Sequence, residues 1–155
     1  MKAIIEKFVG DKNIALIGVS MNKQKFGNFL LNELTKKGFT VFPVHPLLSD
    51  VEAIKCYPNV KSLPDHVTNL ILVVNPKATE QIISKLKDSP IQRVWMHCGT
   101  GKGSGSASAI EACKENGLEV VHGFCPMMLF SPSGMHSFHF WMRKKFGKVP
   151  AEFNA

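Results

Sequence analysis

The chain has 155 residues, 45% hydrophobic and 20% charged, a balance that is ordinary for a folded globular domain and excludes a disordered polar chain. No apolar stretch approaches the roughly 20 residues that a membrane-spanning helix needs, and the first ten residues lack a signal-peptide core, so we expect a cytoplasmic protein with no membrane partner. The formal net charge of +7 favours anionic ligands, but the basic residues form no stripe and no recognisable nucleic-acid-binding module, so nucleic acid is not a predicted partner.

The spacing of the apolar residues predicts alternating strands and helices. Strands are predicted at 14–19, 40–44, 53–57, 70–74, 93–96 and 119–122. Helices or helical arms are predicted at 1–12, 25–37, 78–87, 107–116 and 136–146, with 123–134 extended or looped. Continuous Val, Ile and Leu runs between helices are typical of parallel strands buried on both faces. The chain is therefore predicted to be an α/β protein, one domain over 1–155, with a doubly wound, mainly parallel sheet of five to six strands in a three-layer αβα arrangement.

The first strand ends in a polar break that an anionic ligand could use. Gly18, Val19 and Ser20 follow it, and Lys25 and Gly27 open the next helix. Gly18 permits a tight turn, and the helix that follows directs backbone N–H groups and a positive dipole end at an anion. Ser20 adds a hydroxyl, Lys25 adds a positive charge and Gly27 allows close packing. The spacing is not GxGxxG, so a strand-to-helix turn that merely needs glycine is the alternative.

The second strand ends in Val44-His45-Pro46. An NAD-binding domain places Asp or Glu at this point to hold the ribose hydroxyls. The absence of an acid argues against NAD and is compatible with an adenosine that carries a 3′-phosphate. A loop histidine without a role is the alternative for His45.

The fourth strand ends in Val74-Asn75-Pro76, which the doubly wound order places beside the first strand. Asn75 offers an amide donor and acceptor, and Pro76 keeps the loop extended, although a simple strand stop would look the same. The Gly/Ser-rich run 98–106 lacks the spacing of a phosphate loop and is predicted to line the site, with Lys102 as a mobile cation.

Histidine and cysteine side chains follow the fifth and sixth strands. They are His97, Cys98, His122 and Cys125. Zinc accepts such ligands, but the short chelating spacing of structural zinc sites is missing, so no metal is predicted. The four cysteines are expected to be reduced thiols.

Seven segments together resemble the coenzyme A-binding domain family, over about residues 8 to 140. They are IALIGVS (14–20), KFGN (25–28), VFPVHP (41–46), KCYPNVKSLPD (55–65), VVNP (73–76), VWMHCGTG (94–101) and VVHGFCPMMLF (120–130). The chain is also similar to the nucleotide-binding half of the succinyl-CoA synthetase alpha subunit, which implies a Rossmann-like fold. It departs from the family after the fifth strand, where residues 100–104 replace acidic helix-starting residues. A second domain with a phosphorylated histidine does not fit in 155 residues, so synthetase catalysis is not implied.

The resemblance implies that coenzyme A (CoA) lies at the carboxyl ends of the strands. The resemblance places near the phosphates the residues Gly18, Val19, Ser20, Lys25 and Gly27. It places near the adenosine Pro43, His45 and Pro46, and near the pantetheine or pyrophosphate Val74, Asn75 and Pro76. The family residues at the end of the sixth strand correspond to His122, Cys125 and Pro126. The predicted function is non-catalytic binding of CoA or an acyl-CoA, with CoA as the cofactor and an NAD(P)- or nucleotide-binding redox module or sensor as the alternative. A further hypothesis is a mixed disulfide between CoA and Cys98 or Cys125. The alternative is that these cysteines are buried and inert. The acyl group and the oligomeric state are left open.

Overall fold

The structure is a computed structural model that describes residues 1–99, 101 and 103–130. Its strands are β1 (Asn13–Ile17), β2 (Thr40–Val44), β3 (Asp50–Val51), β4 (Ile54–Lys55), β5 (Asn69–Leu72), β6 (Arg93–His97) and β7 (Glu119–Phe124). Its helices are α1 (Lys2–Gly10), α2 (Phe26–Lys36), α3 (Pro76–Ile83), α4 (Ala107–Glu115) and α5 (Met127–Phe130), with a 3-10 turn at Val60–Ser62. The helix predicted at 136–146 lies outside the described residues.

The main sheet has the order β2-β1-β5-β6-β7, and all four strand pairs are parallel. The chain moves outward from β1 to β2 and then returns to place β5 on the other side of β1. Ile17 pairs with both Val44 and Leu72, so the three carboxyl ends are level. The predicted doubly wound, Rossmann-like sheet is confirmed, and the reversal between β1 and β5 creates the crevice in which such sheets bind ligands.

Successive residues of β1 enter different apolar layers because strand side chains alternate between the two faces. Ile14 and Leu16 pack with α1, α2 and α5. Ala15 packs on the opposite face with residues of α3 and α4. Trp95 is fully buried, and its ring lies nearly perpendicular to that of Phe8, with the centroids 5.4 Å apart. The core therefore fixes the strand ends from both sides.

The predicted third strand does not join the main sheet. Asp50–Val51 and Ile54–Lys55 instead form a two-stranded antiparallel hairpin. Glu52 and Ala53 form its turn with φ of 50° and 61°, which is the conformation of a tight two-residue hairpin. Tyr57 reaches the main sheet through one isolated parallel bridge to Val44. The short strand predicted at 53–57 is present as Ile54–Lys55, but it pairs in this hairpin, and the main sheet has five strands.

Two further expectations are corrected by the structure. The helical spacing of Phe26, Phe29, Leu30 and Leu34 predicts that these four residues share the buried face of α2. Phe29 is instead 44% exposed, while Asn28 and Leu31 are buried. Residues 127–130 form α5 where an extended segment was predicted. Pro126 immediately precedes α5, and its fixed φ suits the first turn of a helix.

Of the described helices, none has the length and apolar character needed to cross a bilayer.

Candidate functional site

The chain leaves β1 through a glycine that has no space for a side chain. Gly18 has φ of +125°, a conformation that favours glycine. A Cβ at this position would lie 2.8 Å from the Cβ of Val73 and closer still to its carbonyl oxygen. The Val73 N–H also donates to the Ile17 carbonyl at 2.8 Å. The turns after β1 and β5 are therefore in direct contact.

The first turn of α2 packs against the same glycine. A Cβ on Gly27 would lie 2.5 Å from the carbonyl carbon of Gly18, which is backbone and cannot move aside. The two glycines thus allow the start of the helix to approach the end of β1. This close approach is the packing predicted for Gly27.

Asn28 fixes the loop that joins these two glycines, and sequence reasoning missed it. Its Oδ1 accepts from the Ser20 N–H at 2.9 Å, and its Nδ2 donates to the Ser20 carbonyl at 2.8 Å. The Asn28 side chain is 1% exposed, so both bonds are shielded from water. A polar residue on the buried face of an amphipathic helix, one turn before Leu31, was the available signal.

The start of α2 carries backbone donors that the described residues do not satisfy. Lys25 is the N-cap residue and makes no capping bond with its side chain, and no described residue accepts from the N–H of Phe26 or Gly27. The Ser20 hydroxyl accepts from the Asn22 N–H at 3.1 Å and retains its own proton for donation. Because Lys25 is exposed, this helix start combines N–H donors, a hydroxyl and a positive charge.

At the end of β2, the His45 side chain is oriented by its own loop. Its Nδ1 accepts from the Leu47 N–H at 3.1 Å, so the neutral ring carries its proton on Nε2 and can donate from there. The hairpin segment closes against this strand end through two backbone bonds. The Tyr57 N–H donates to the Pro43 carbonyl at 2.8 Å, and the Tyr57 carbonyl accepts from the His45 N–H at 2.9 Å. Pro43 is buried and Pro46 is exposed at the edge.

A cavity of about 620 Å³ lies beside the ends of β1 and β2, within the size range of small-molecule sites. Its apolar lining includes Ile17, Val44, Pro46, Pro58, Val60 and Ile82. Lys61, Lys85, Lys87 and the acidic Asp88 also line it, and the Lys61 ammonium lies 4.0 Å from the Asp88 carboxylate. Sequence reasoning missed a role for these lysines, because they come from two segments that meet only in the folded chain.

The end of β5 is occupied by a helix cap. The Oδ1 of Asn75 accepts from the Ala78 N–H at 2.9 Å, and Pro76 occupies the first turn of α3. This role uses one of the two acceptor sites of the Asn75 oxygen, and its Nδ2 group can donate to a ligand. The buried Ser104 hydroxyl accepts from the Val74 N–H at 3.1 Å and ties the Gly/Ser-rich loop to this strand end.

His97 ends β6 with an unusual environment. Its ring stacks on Phe26 with centroids 4.5 Å apart and an angle of 22°. Its Nδ1 is buried and has no hydrogen-bond partner among the residues that the structure describes. Burial lowers the pKa of His97 from 6.5 to about 4. The ring is therefore neutral at physiological pH.

Comparison with known proteins decides the family. Residues 12–131 match the CoA binding domain family. This chain belongs to that family. A hypothetical protein of Pyrococcus horikoshii superimposes with a TM-score of 0.73 at 28% identity, covering 83% of this chain and 89% of that one. A conserved hypothetical protein of Pyrococcus furiosus gives 0.67 at 34% identity, covering 74% and 96%.

Among curated relatives, the acetate–CoA ligase [ADP-forming] I of Archaeoglobus fulgidus is 27% identical over 139 residues, which is 86% of this chain. The CoA-binding domain described here spans only 20% of the length of that enzyme. It is thus similar to one part of a longer protein.

Within this CoA-binding domain, the predicted site residues divide into two groups. Those that follow β1, β2 and β5 lie at adjacent strand ends. His122, Cys125 and Pro126 belong to β7 or follow it, three strand spacings from β1, or about 14 Å, and the Cys125 side chain is 4% exposed. The structure does not bring this second group to the first loop.

The thiols also differ in access. All four cysteines lie in the described part of the chain and none forms a disulfide. Cys98 is partly exposed and the other three are buried. Burial raises the pKa of Cys113 to about 11, so this thiol is unreactive at neutral pH.

Proposed function

We propose that this chain binds coenzyme A or an acyl-CoA at the carboxyl edge of its sheet, without itself catalysing a reaction. The observation that carries the proposal is the start of α2, where the N–H groups of Phe26 and Gly27 have no described acceptor and lie beside exposed Lys25. Backbone donors and the positive end of a helix form a binding site for phosphate groups. The pyrophosphate of CoA is the anion that we assign to it.

The adenosine occupies the 620 Å³ cavity in this proposal. Ile17 ends β1, just before the pyrophosphate loop, and also lines the cavity, so the two sites adjoin. The apolar lining suits the faces of a base, and Lys85 and Lys87 suit a phosphate on the ribose. The carboxylate of Asp88 lines the same cavity and is paired with Lys61 at 4.0 Å. His45 stands where an NAD-binding domain has an acid, so no carboxylate at this strand end repels the 3′-phosphate of CoA.

Family membership and the relatives support the same ligand. The Archaeoglobus relative is named as an acetate–CoA ligase, and its matching part belongs to a protein that uses CoA. Because this chain spans only a fifth of that enzyme, the proposal includes ligand binding and does not include the ligase reaction.

Isothermal titration calorimetry with CoA, dephospho-CoA, NAD and NADPH tests the proposal. CoA should bind about tenfold or more tightly than dephospho-CoA, because a lysine–phosphate contact contributes roughly 1–2 kcal/mol. The Lys85→Ala/Lys87→Ala variant should reduce this preference. Lys36→Ala/Lys37→Ala removes the same charge from the far end of α2 and is the matched control.

Several outcomes would contradict the proposal. Absence of CoA binding, or equal affinity for CoA and NAD, removes it. Tighter binding of NADPH than of CoA would favour the redox module instead. An equal loss of CoA affinity in the two double-lysine variants would show that overall charge, and not the cavity, selects the ligand.

A further inference from the structure

The walls of the 620 Å³ cavity carry two polar groups that the proposed adenosine contacts leave unused. They are the side chains of Asn59 and Asp88, which line the cavity among apolar residues and lysines. Both residues are exposed to solvent, so a ligand in the cavity can reach them. A few polar groups in a mainly apolar pocket fix the orientation and the identity of its ligand.

The Asn59 side chain is held in one orientation by the backbone that follows it. Its Oδ1 accepts from the Lys61 N–H at 3.0 Å and from the Ser62 N–H at 3.1 Å, as the cap of the 3-10 turn. The Ser62 hydroxyl donates to the Asn59 carbonyl at 2.7 Å and fixes the backbone of the same residue. No described residue accepts a hydrogen bond from the Nδ2 group of Asn59. This amide is therefore a fixed donor at the cavity wall.

Asp88 supplies an acceptor to the same cavity. Its Oδ2 lies 4.0 Å from the Lys61 ammonium and its side chain is 73% exposed, so this ion pair is weak. No described residue donates a hydrogen bond to the Asp88 carboxylate. Because Lys61 is only two residues after Asn59, the ion pair also shows that the Asn59 and Asp88 segments approach each other at this cavity.

An amide donor and a carboxylate acceptor together match the edge of one purine. Adenine has an acceptor at N1 beside a donor at its 6-amino group, so the Asn59 Nδ2 can donate to N1 while Asp88 accepts from the amino group. Hypoxanthine and guanine present the reverse, with a donor at N1 and an oxygen at position 6. In the same pose these bases would place a donor against the Asn59 donor and an oxygen against the carboxylate, which leaves polar groups unpaired.

We propose that Asn59 and Asp88 contact the N1 and 6-amino edge of adenine and so select an adenine nucleotide over one that carries hypoxanthine or guanine. This inference rests on the proposed CoA binding, because it assigns the base of that ligand to the cavity. It adds a source of specificity, since neither the phosphate contacts nor the apolar lining distinguishes one purine from another.

Calorimetry of the full chain with CoA and with deamino-CoA, in which hypoxanthine replaces adenine, tests the inference. The two ligands share their phosphates, pantetheine arm and size, so the ratio of their affinities reports the edge of the base and not the overall charge. Asp88→Gly removes the carboxylate and suits the φ of 63° at this position. Asn59→Asp retains an oxygen for the two backbone N–H groups and replaces the donor with an acceptor.

The matched controls make the same changes away from the cavity. Asp65→Gly removes an exposed aspartate that does not line it. Asn116→Asp adds a negative charge at an exposed asparagine at the end of α4.

We expect the wild type to bind CoA about tenfold or more tightly than deamino-CoA. Asp88→Gly should bring this ratio close to one, although the loss of a negative charge by itself favours both anionic ligands. Asn59→Asp should also lower the ratio, because its carboxylate accepts from the N1–H of hypoxanthine and faces the lone pair of adenine N1. Both controls should keep the wild-type ratio.

The outcomes separate this inference from the proposed function. If the wild type binds CoA and deamino-CoA equally, or binds deamino-CoA more tightly, the inference is overturned while the proposed function stands. A wild-type ratio in either cavity variant, or an equal change of the ratio in the controls, overturns it in the same way. If Asp88→Gly does not fold, the ratio in Asn59→Asp decides. If the wild type does not bind CoA, the proposed function fails and the inference fails with it.

Discussion

Substitution of Asn28 by alanine tests how the loop after β1 is kept ready for a ligand. The two bonds between Asn28 and the Ser20 backbone are 2.9 and 2.8 Å long, and the side chain is 1% exposed. Asn28→Ala removes both. It leaves the Ser20 N–H and carbonyl without these partners, although Ser20 is partly exposed and water can replace them in part.

The expected loss follows from these contacts. Two hydrogen bonds contribute about 1 kcal/mol each, and incomplete rehydration of the Ser20 groups adds to this, so the free energy of unfolding should fall by about 2–3 kcal/mol. For a chain of this size that corresponds to a fall in Tm of about 5–10 °C. If about 2 kcal/mol of this holds the loop in its binding conformation, CoA affinity should fall by up to about thirtyfold.

Urea unfolding and calorimetry with CoA measure the two effects. Asn116→Ala is the matched control, because Asn116 is an exposed asparagine whose Nδ2 donates to the Ala112 carbonyl at 2.7 Å, at the far end of α4. Asn28→Asp adds a second test, because it retains an acceptor for the Ser20 N–H and places an oxygen against the Ser20 carbonyl. Unchanged stability and affinity in Asn28→Ala would refute the reasoning, and lost stability with unchanged affinity would reduce Asn28 to a purely structural role.

Three further predictions concern neighbouring features. Gly27→Ala should lower the free energy of unfolding in urea by about 1–3 kcal/mol and weaken CoA binding, because the new Cβ would lie 2.5 Å from the Gly18 carbonyl carbon. A variant as stable as the wild type would contradict this packing. Cys98 should react first with Ellman's reagent, while fully buried Cys113, with its pKa raised to about 11, should react only on unfolding; loss of the fast phase in Cys98→Ala checks this assignment. The unfolded chain protonates His97 near pH 6.5 and the folded chain only near pH 4, so the free energy of unfolding should fall as pH is lowered through this window, and His97→Phe should remove that part of the slope.

The sheet could be predicted from the sequence because its strands are continuous apolar runs. In β1, Ile14 and Leu16 are buried on one face of the sheet and Ala15 on the other. The strand therefore appears in the sequence as an unbroken apolar run, whatever the loops beside it do. The ends of the strands were predicted less accurately: β1 ends at Ile17, whereas the apolar run predicted a strand that continues to residue 19. The positive φ of Gly18 stops the extended conformation there, and a glycine in the sequence does not reveal which φ it adopts.

The hairpin at β3 and β4 and the bonds between Asn28 and Ser20 were not predictable in the same way. Glu52 and Ala53 adopt positive φ values without the Asn-Gly or Asp-Gly signal of such turns. The bonds between Asn28 and Ser20 join residues eight positions apart, a spacing that belongs to neither helix nor strand periodicity. The lysines of the cavity depend on the approach of residue 61 to 85–87. Each of these features arises from tertiary contact.

The two edges of the sheet treat their polar groups differently, and this difference supports a ligand at the carboxyl edge. At the amino edge, Arg93 donates to Asn69 at 3.0 Å and to Glu119 at 3.0 Å, and Asn69 donates to Asp11 at 2.9 Å. These side chains satisfy one another across neighbouring strands.

At the carboxyl edge, within the described residues, the first N–H groups of α2 and the buried Nδ1 of His97 are left without protein partners. Apolar replacements or side-chain caps would remove this unfavourable energy, and the same chain uses such a cap in α3, where Asn75 bonds the Ala78 N–H at 2.9 Å. A sequence that caps α3 at this edge and leaves α2 uncapped concentrates its unsatisfied donors at the start of α2. A bound anion at α2 would satisfy the N–H groups there and stabilise the folded chain in proportion to the logarithm of ligand concentration.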